Sequence, residues 1–199
     1  MQIKEIVNSM SNKAEQIMDE AENLARTHGY NAFSFRDLAA KVGIKSASVH
    51  YHFPTKADLG AALAKRYTER FLAYLNQSIE PTDTAFEIIQ KYGAAYHQAL
   101  VQDGRMCLCG LFAAEVDSLP EPVAEEVQRF FEANIRWLKD VLRRDPHVRS
   151  EEELETDATF VLTLFQGAML VGRTLDQPEA ILKVLEKLRG TDIYTSRVH

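Results

Sequence analysis

The chain has 199 residues, 46% of them hydrophobic, with nine Gly, six Pro and a formal net charge of −6. That composition excludes a disordered chain and gives enough apolar residues for a substantial core. The acidic balance excludes a uniformly basic nucleic-acid binder, but the charge is uneven. Residues 1–56 carry seven Lys or Arg against six Asp or Glu, and the remainder sixteen against twenty-three.

Taken in chain order, the apolar residues recur with helical spacing and never alternate as in a strand. Nine helices are expected, which makes the fold class all-α. The first covers about 12–28, with Ala14, Ile17, Ala21, Leu24 and Ala25 on one stripe and Gly29 as its stop. Ser34 with Asp37 caps a short second helix that ends at Gly43. Ser46 is expected to cap a third, from Ala47 to His52. Phe53-Pro54 breaks the chain, and Thr55 with Asp58 caps a fourth helix reaching about Asn76. The fifth covers about 84–102, before Asp103-Gly104. The sixth covers about 107–116. The seventh follows Pro120 and stops at Asp145-Pro146. The eighth covers about 151–174, and the ninth runs from Pro178 to Arg189, before a short tail from Gly190.

The eighth segment is apolar on several sides between Phe160 and Val171, so it needs cover on more than one face. No apolar stretch is expected to reach a membrane-spanning length. The N-terminal residues lack a signal-peptide core, so a cytoplasmic location with no membrane association is expected. Either Met1 or Met10 can serve as the first residue. The two cysteines, Cys107 and Cys109, are too close in sequence to bridge well and are expected to stay reduced.

The densest information lies between residues 34 and 58. There a cap, a short helix, a Gly turn, a very short helix, an aromatic break and a further cap follow in order. This is the layout of a helix-turn-helix, in which the first helix braces the second. Leu38, Ala39, Val42, Ile44 and Val49 are spaced to pack the pair. The second helix then turns Ser46, Ala47, Ser48, His50, Tyr51 and His52 outward. Small residues allow close approach to base edges: Ala47 suits a thymine methyl and Ser48 either a base or a phosphate. Tyr51, His52, Lys45 and Lys56 suit phosphates, and Ser34 and Arg36 complete the expected DNA-contacting set.

Through Leu38, Ala39, Val42, Gly43, Tyr51, Phe53, Lys56 and Leu59 this stretch resembles the signature of the TetR family of transcriptional regulators. The family's small or Gly position in the second helix is Ala47 or Ser48 here, and a common Tyr is replaced by His50. The resemblance covers about 50 residues; the helical remainder resembles the family in layout. It implies a DNA-binding domain over 1–56 and a ligand-binding and dimerisation domain over 57–199. It also implies a homodimer on a palindromic operator in double-stranded DNA, most often a repressor released by a small-molecule or reactive electrophile effector. The family's dimer interface implies roles for Leu164, Phe165, Ala168, Val171 and Gly172 of the eighth helix, with Leu185 and Leu188 of the ninth. The same stripes equally suit packing inside one subunit.

For the effector site the candidates are Tyr92, Tyr96, Cys107, Phe112, Phe131, Trp137, Phe165 and Met169, although aromatic stripes at helical spacing also serve plain packing. A thiol at a helix start beside Arg105 is a candidate for raised reactivity, which makes Cys107 a candidate sensor of electrophiles or oxidants. Its alternative is a small buried hydrophobe. No enzyme is expected: there is no phosphate loop, HExxH or nucleophile elbow, and the histidines at 28, 50, 52, 97, 147 and 199 lack metal-ligand or triad spacing. No metal or cofactor is expected either. An all-helical enzyme or carrier, or a helix-turn-helix serving only protein contacts, remain the competing readings.

Overall fold

The computed structural model describes residues 2–189, with side chains described from Lys13 onward except Asp103. Among these residues the regular structure is all helix. The α-helices are α1 Gln2–His28, α2 Phe35–Val42, α3 Ser46–His52, α4 Lys56–Ser78, α5 Ala85–Asp103, α6 Leu108–Ala113, α7 Glu121–Leu142, α8 Glu151–Thr174 and α9 Ala180–Arg189. Short 3-10 turns occupy Tyr30–Ala32 and Val116–Ser118. The expected order therefore holds, with corrections at four ends, one of them α9, which starts at Ala180 rather than Pro178. Helix α1 starts at Gln2 rather than near residue 12, since no Gly or Pro interrupts residues 2–28. The sixth helix is shorter than expected, its last residues tightening into the 3-10 turn. Ser46 is the first helical residue, and the cap position falls to Lys45, which makes no side-chain cap bond. Met1 and the tail from Gly190 lie outside the described residues.

The chain forms two compact units, each built from two stretches of sequence. The first combines Met1–Tyr67 with Leu108–Gln128, and the second Thr68–Cys107 with Arg129–His199.

In the first unit, α1 buries Ile17, Ala21 and Ala25, which recur every fourth residue. Helix α2 is held at its start by Ser34, whose hydroxyl accepts from the Asp37 N–H and donates to the Asp37 carboxylate. It stops at Gly43, whose φ of 69° is left-handed and suits a residue without Cβ. The next residue closes the turn, the Ile44 N–H donating to the Ala39 carbonyl at 2.9 Å. Leu38, Ala39 and Val49 are buried where α2 and α3 meet. Truncating Leu38 to Ala costs about 2–5 kcal/mol, comparable with the whole stability of a marginal domain. Thr55 and Asp58 exchange the bonds of a second cap, which starts α4 sharply after Pro54. Arg66 of α4 binds three carboxylates of α1, at 2.8 Å to Glu15, 2.9 Å to Asp19 and 2.8 Å to Glu22. Phe112 of α6 stands edge-on to Tyr30, with centroids 5.5 Å apart.

In the second unit α5, α8 and α9 pack around Ile88, Ile89, Tyr92, Val161, Leu162, Phe165 and Ile181. Full capping boxes start α5 (Thr84 with Glu87) and α8 (Ser150 with Glu153). At Gly93 a Cβ would come within 2.6 Å of the Phe165 ring, so the bare backbone lets α5 and α8 approach. By length and composition α8 meets the minimum for a bilayer span, which corrects the expectation that no stretch would. Its Leu154, Ala158, Val161, Leu162, Phe165, Ala168, Met169 and Gly172 are buried within this chain, as in the core helix of a globular unit.

Candidate functional site

Helix α3 divides its side chains between bracing and display. Val49 is fully buried against α2, and His50, although exposed, is held. The His50 Nδ1 lies 3.2 Å from the Pro54 carbonyl, which only accepts, so the ring nitrogen donates. Ser46, Ala47 and Tyr51 are exposed and Ser48 is half-buried; Tyr51 keeps 70% of its surface in solvent. The Tyr51 ring meets His52 edge-on at 5.4 Å. Lys45 and Arg36 are exposed. Ser34 is exposed, but its hydroxyl serves the α2 cap.

Lys56 is placed differently from the other candidates. Its Nζ lies 4.7 Å from the centre of the Tyr30 ring and 4.8 Å from that of Phe33, a paired cation–π contact. Burial holds its ammonium below the ordinary lysine value, with Glu115 pulling the other way. The sequence pattern offers no sign of this, because Tyr30 and Phe33 are some 25 residues away.

Beside α3 runs a shallow, largely apolar groove of about 420 Å³ lined by Ile44, Lys45, Ala47, Ser48, Tyr51, His52 and Lys13. Lys13 is the one lining residue outside the helix-turn-helix, and sequence reasoning missed it. It sits on α1, where its Nζ donates to the Gln16 side chain at 2.9 Å.

Of the eight effector-site candidates, Tyr92, Tyr96, Cys107, Phe165 and Met169 are buried in the second unit. Tyr92, Tyr96 and Cys107 are joined by a directional polar chain, and Phe165 packs on the two tyrosine rings. Gln166 Nε2 donates to the Tyr96 hydroxyl at 3.1 Å and lies 3.4 Å from Cys107 Sγ. The Tyr92 hydroxyl donates to Asn134 Oδ1 at 3.0 Å and lies 3.2 Å from the Tyr96 hydroxyl. With the single Tyr92 proton committed to Asn134, Tyr96 is the donor between the two phenols. Asn134 Nδ2 completes the run at the Phe130 carbonyl, 2.8 Å away. Burial pushes the Tyr92 hydroxyl well above its ordinary value, which keeps it a neutral donor. The Cys107 N–H also points to Met169 Sδ at 3.2 Å.

Asn134 and Gln166 were missed in the sequence: Gln166 interrupts an apolar stretch of α8, and Asn134, between Glu132 and Arg136, reads as one more polar position on α7. Trp137 stacks on Tyr92 at 5.6 Å and donates its indole N–H to Asn76. Phe131 is half-buried, edge-on to Phe130. Phe112 is not part of this cluster; it belongs to the first unit.

The outer face of α8 and α9 carries an apolar groove of about 380 Å³ that includes Phe160, Leu164, Gly167, Val171 and Val184. Leu170, Leu175 and Leu182 are also exposed. Among the residues expected to face a second subunit, Leu164 and Val171 do lie on this face. Phe165, Gly172 and Leu188 do not; they are buried within the chain, Phe165 against Tyr92 and Gly172 against Gln177 and Ala180. Ala168 is buried yet reaches the groove, and Leu185 is half-buried.

Residues 17–63 match the family model described as bacterial regulatory proteins, tetR family. A TetR transcriptional regulator from Legionella pneumophila is 36% identical, with 87% of this chain and 93% of that chain covered at a TM-score of 0.81. A TetR-family regulator from Agrobacterium tumefaciens is 28% identical, with 90% and 96% covered at a TM-score of 0.82. The HTH-type transcriptional repressor DhaR of Mycobacterium sp. (strain GP1) is 23% identical over 160 residues, which cover 78% of this chain and 80% of that protein.

Proposed function

The chain belongs to the TetR family of bacterial transcriptional regulators, DNA-binding proteins of the repressor type, and from that premise we propose a ligand-responsive repressor that reads its operator with α3. The observation that carries this reading is the exposed face of α3, where Ser46, Ala47, Ser48 and Tyr51 stand beside Lys45 while Val49 and His50 brace the helix. An exposed helix face without acidic residues, flanked by lysines, matches a major groove between phosphate backbones. Arg36 and Lys13 supply further cations toward the backbone. Lys56 supports the helix-turn-helix from its seat on Tyr30 and Phe33.

Two chains would pair through the apolar outer face of α8 and α9 and so present two copies of α3 to a palindromic operator. The effector would engage the polar chain from Cys107 through Gln166, Tyr96 and Tyr92 to Asn134, with Trp137, Phe131 and Met169 around it. Any molecule that binds the DNA-free form more tightly than the DNA-bound form weakens operator binding by that same factor. Cys107 extends the reading to electrophiles: its sulfur adds to the activated double bond of a quinone, the thiol proton moves to the reagent, and a hydroquinone thioether remains. The added group displaces the Gln166 contact.

The test is a gel shift of the full-length protein on the DNA upstream of its own gene. The expected result is a sequence-specific complex that persists over competitor DNA and is lost in Tyr51→Ala. Binding no tighter than to unrelated DNA, in both low and moderate salt, would contradict the reading.

A further inference from the structure

We infer that the groove beside α3 reads the 5-methyl group of a thymine in each operator half-site; this rests on the DNA-binding reading above. Tyr51 lies four residues from Ala47 and three from Ser48, so the three share one face of α3, and Ile44, in the turn before the helix, lines the same groove. They line a concavity that is mainly apolar although it lies at the surface. Ala47 contributes only a Cβ there, so the helix backbone can come close to whatever fills the space. Tyr51 walls one side and remains exposed.

The occupant follows from the pairing of that apolar floor with its charged rim. Among the described residues, those lining the groove that carry a full charge are Lys13 and Lys45, with no carboxylate beside them. A free apolar metabolite has no use for two ammonium groups. A DNA strand supplies both features at once, because phosphates flank each base. On the major-groove edge the one apolar group is the thymine methyl. Ser48, with its hydroxyl at the same face, is placed to hydrogen-bond the adjoining base edge. The mainly apolar lining then selects thymine over a base pair that offers only donors and acceptors.

Burying one methyl group corresponds to about a fourfold change in affinity. The experiment starts from the tightest duplex drawn by the full-length protein from a random pool. Each thymine in turn is replaced by deoxyuridine, which removes the methyl and leaves base pairing intact, and affinity is read by fluorescence anisotropy. The expected result is one position in each half-site where the replacement weakens binding about fourfold. At that position the difference shrinks toward none in Ala47→Gly and Ile44→Ala. The inference is overturned if every deoxyuridine duplex binds like its parent, or if the loss persists undiminished in both variants. If the pool yields no enriched duplex, the DNA-binding reading itself fails and this inference with it. An enriched duplex indifferent to deoxyuridine sinks the methyl reading alone.

Discussion

The imidazole of His50 stands edge-on against the ring of Phe35, with centroids 4.7 Å apart. Phe35 opens α2, so the contact ties α3 to the helix that braces it. Together with the bond to the Pro54 carbonyl, it gives His50 a part in holding α3 in place. His50→Ala is therefore expected to cost about 1–2 kcal/mol, from a lost aromatic pair and a lost hydrogen bond. That corresponds to a fall in melting temperature of roughly 2–8 °C for a chain of this size. DNA affinity should weaken evenly across sequences. Tyr51→Ala should behave in the opposite way, with a nearly unchanged melting temperature and a large loss of binding, since its side chain is mostly in solvent.

The chain of hydroxyls and amides in the second unit makes a stability prediction. Tyr92→Phe leaves Asn134 Oδ1 buried without its donor, and Asn134→Leu leaves the Tyr92 proton without its acceptor. Each is expected to cost about 1–3 kcal/mol. The double variant should cost clearly less than the two together, because neither orphan group remains. Additive losses in denaturant titrations would show that the two residues are not coupled.

The outer face of α8 makes a prediction about assembly. Val171→Glu puts a charge on the apolar groove but not in the core, so helicity and melting of the subunit should be kept. Light scattering should report a drop from about twice the chain mass to the 22.6 kDa of one chain. Phe165→Ala, by contrast, empties a fully buried site and should cost about 3–5 kcal/mol of stability. An unchanged dimer in Val171→Glu would place the interface elsewhere.

Both cysteines are buried, and Cys107 touches the polar chain through Gln166. Treatment with 1,4-benzoquinone is expected to release the wild-type protein from DNA. Cys109→Ser should respond like wild type, and Cys107→Ser should not respond. Release of Cys107→Ser at the wild-type concentration of quinone would remove the thiol from the account.

What the sequence disclosed follows the range of the interactions involved. Caps and Gly turns act over three to six residues, so the helix-turn-helix was readable from Ser34, Asp37, Gly43, Thr55 and Asp58, and the extent of α8 was legible to within a turn. The side chains that α3 displays were also legible, because Val49 alone had the spacing to pack inward. Long-range partners were not. Asn134 meets Tyr92 across 42 positions and Gln166 meets Cys107 across 59. Lys13 reaches the groove from another helix. Helix α8 misled because it is apolar on several faces: periodicity alone does not tell that Phe165 and Gly172 point inward while Phe160 and Val171 point out. Lys56 sits on two rings that nothing in its own helix announces.

The central claim is that α3, presented twice by a paired molecule, recognises a specific DNA sequence. The most direct measurement is selection of duplexes from a random pool by the full-length protein, followed by sequencing of the enriched set. The account predicts an inverted repeat whose enrichment disappears in Tyr51→Ala. A pool that stays random, or an enriched sequence that Tyr51→Ala selects equally well, would contradict it.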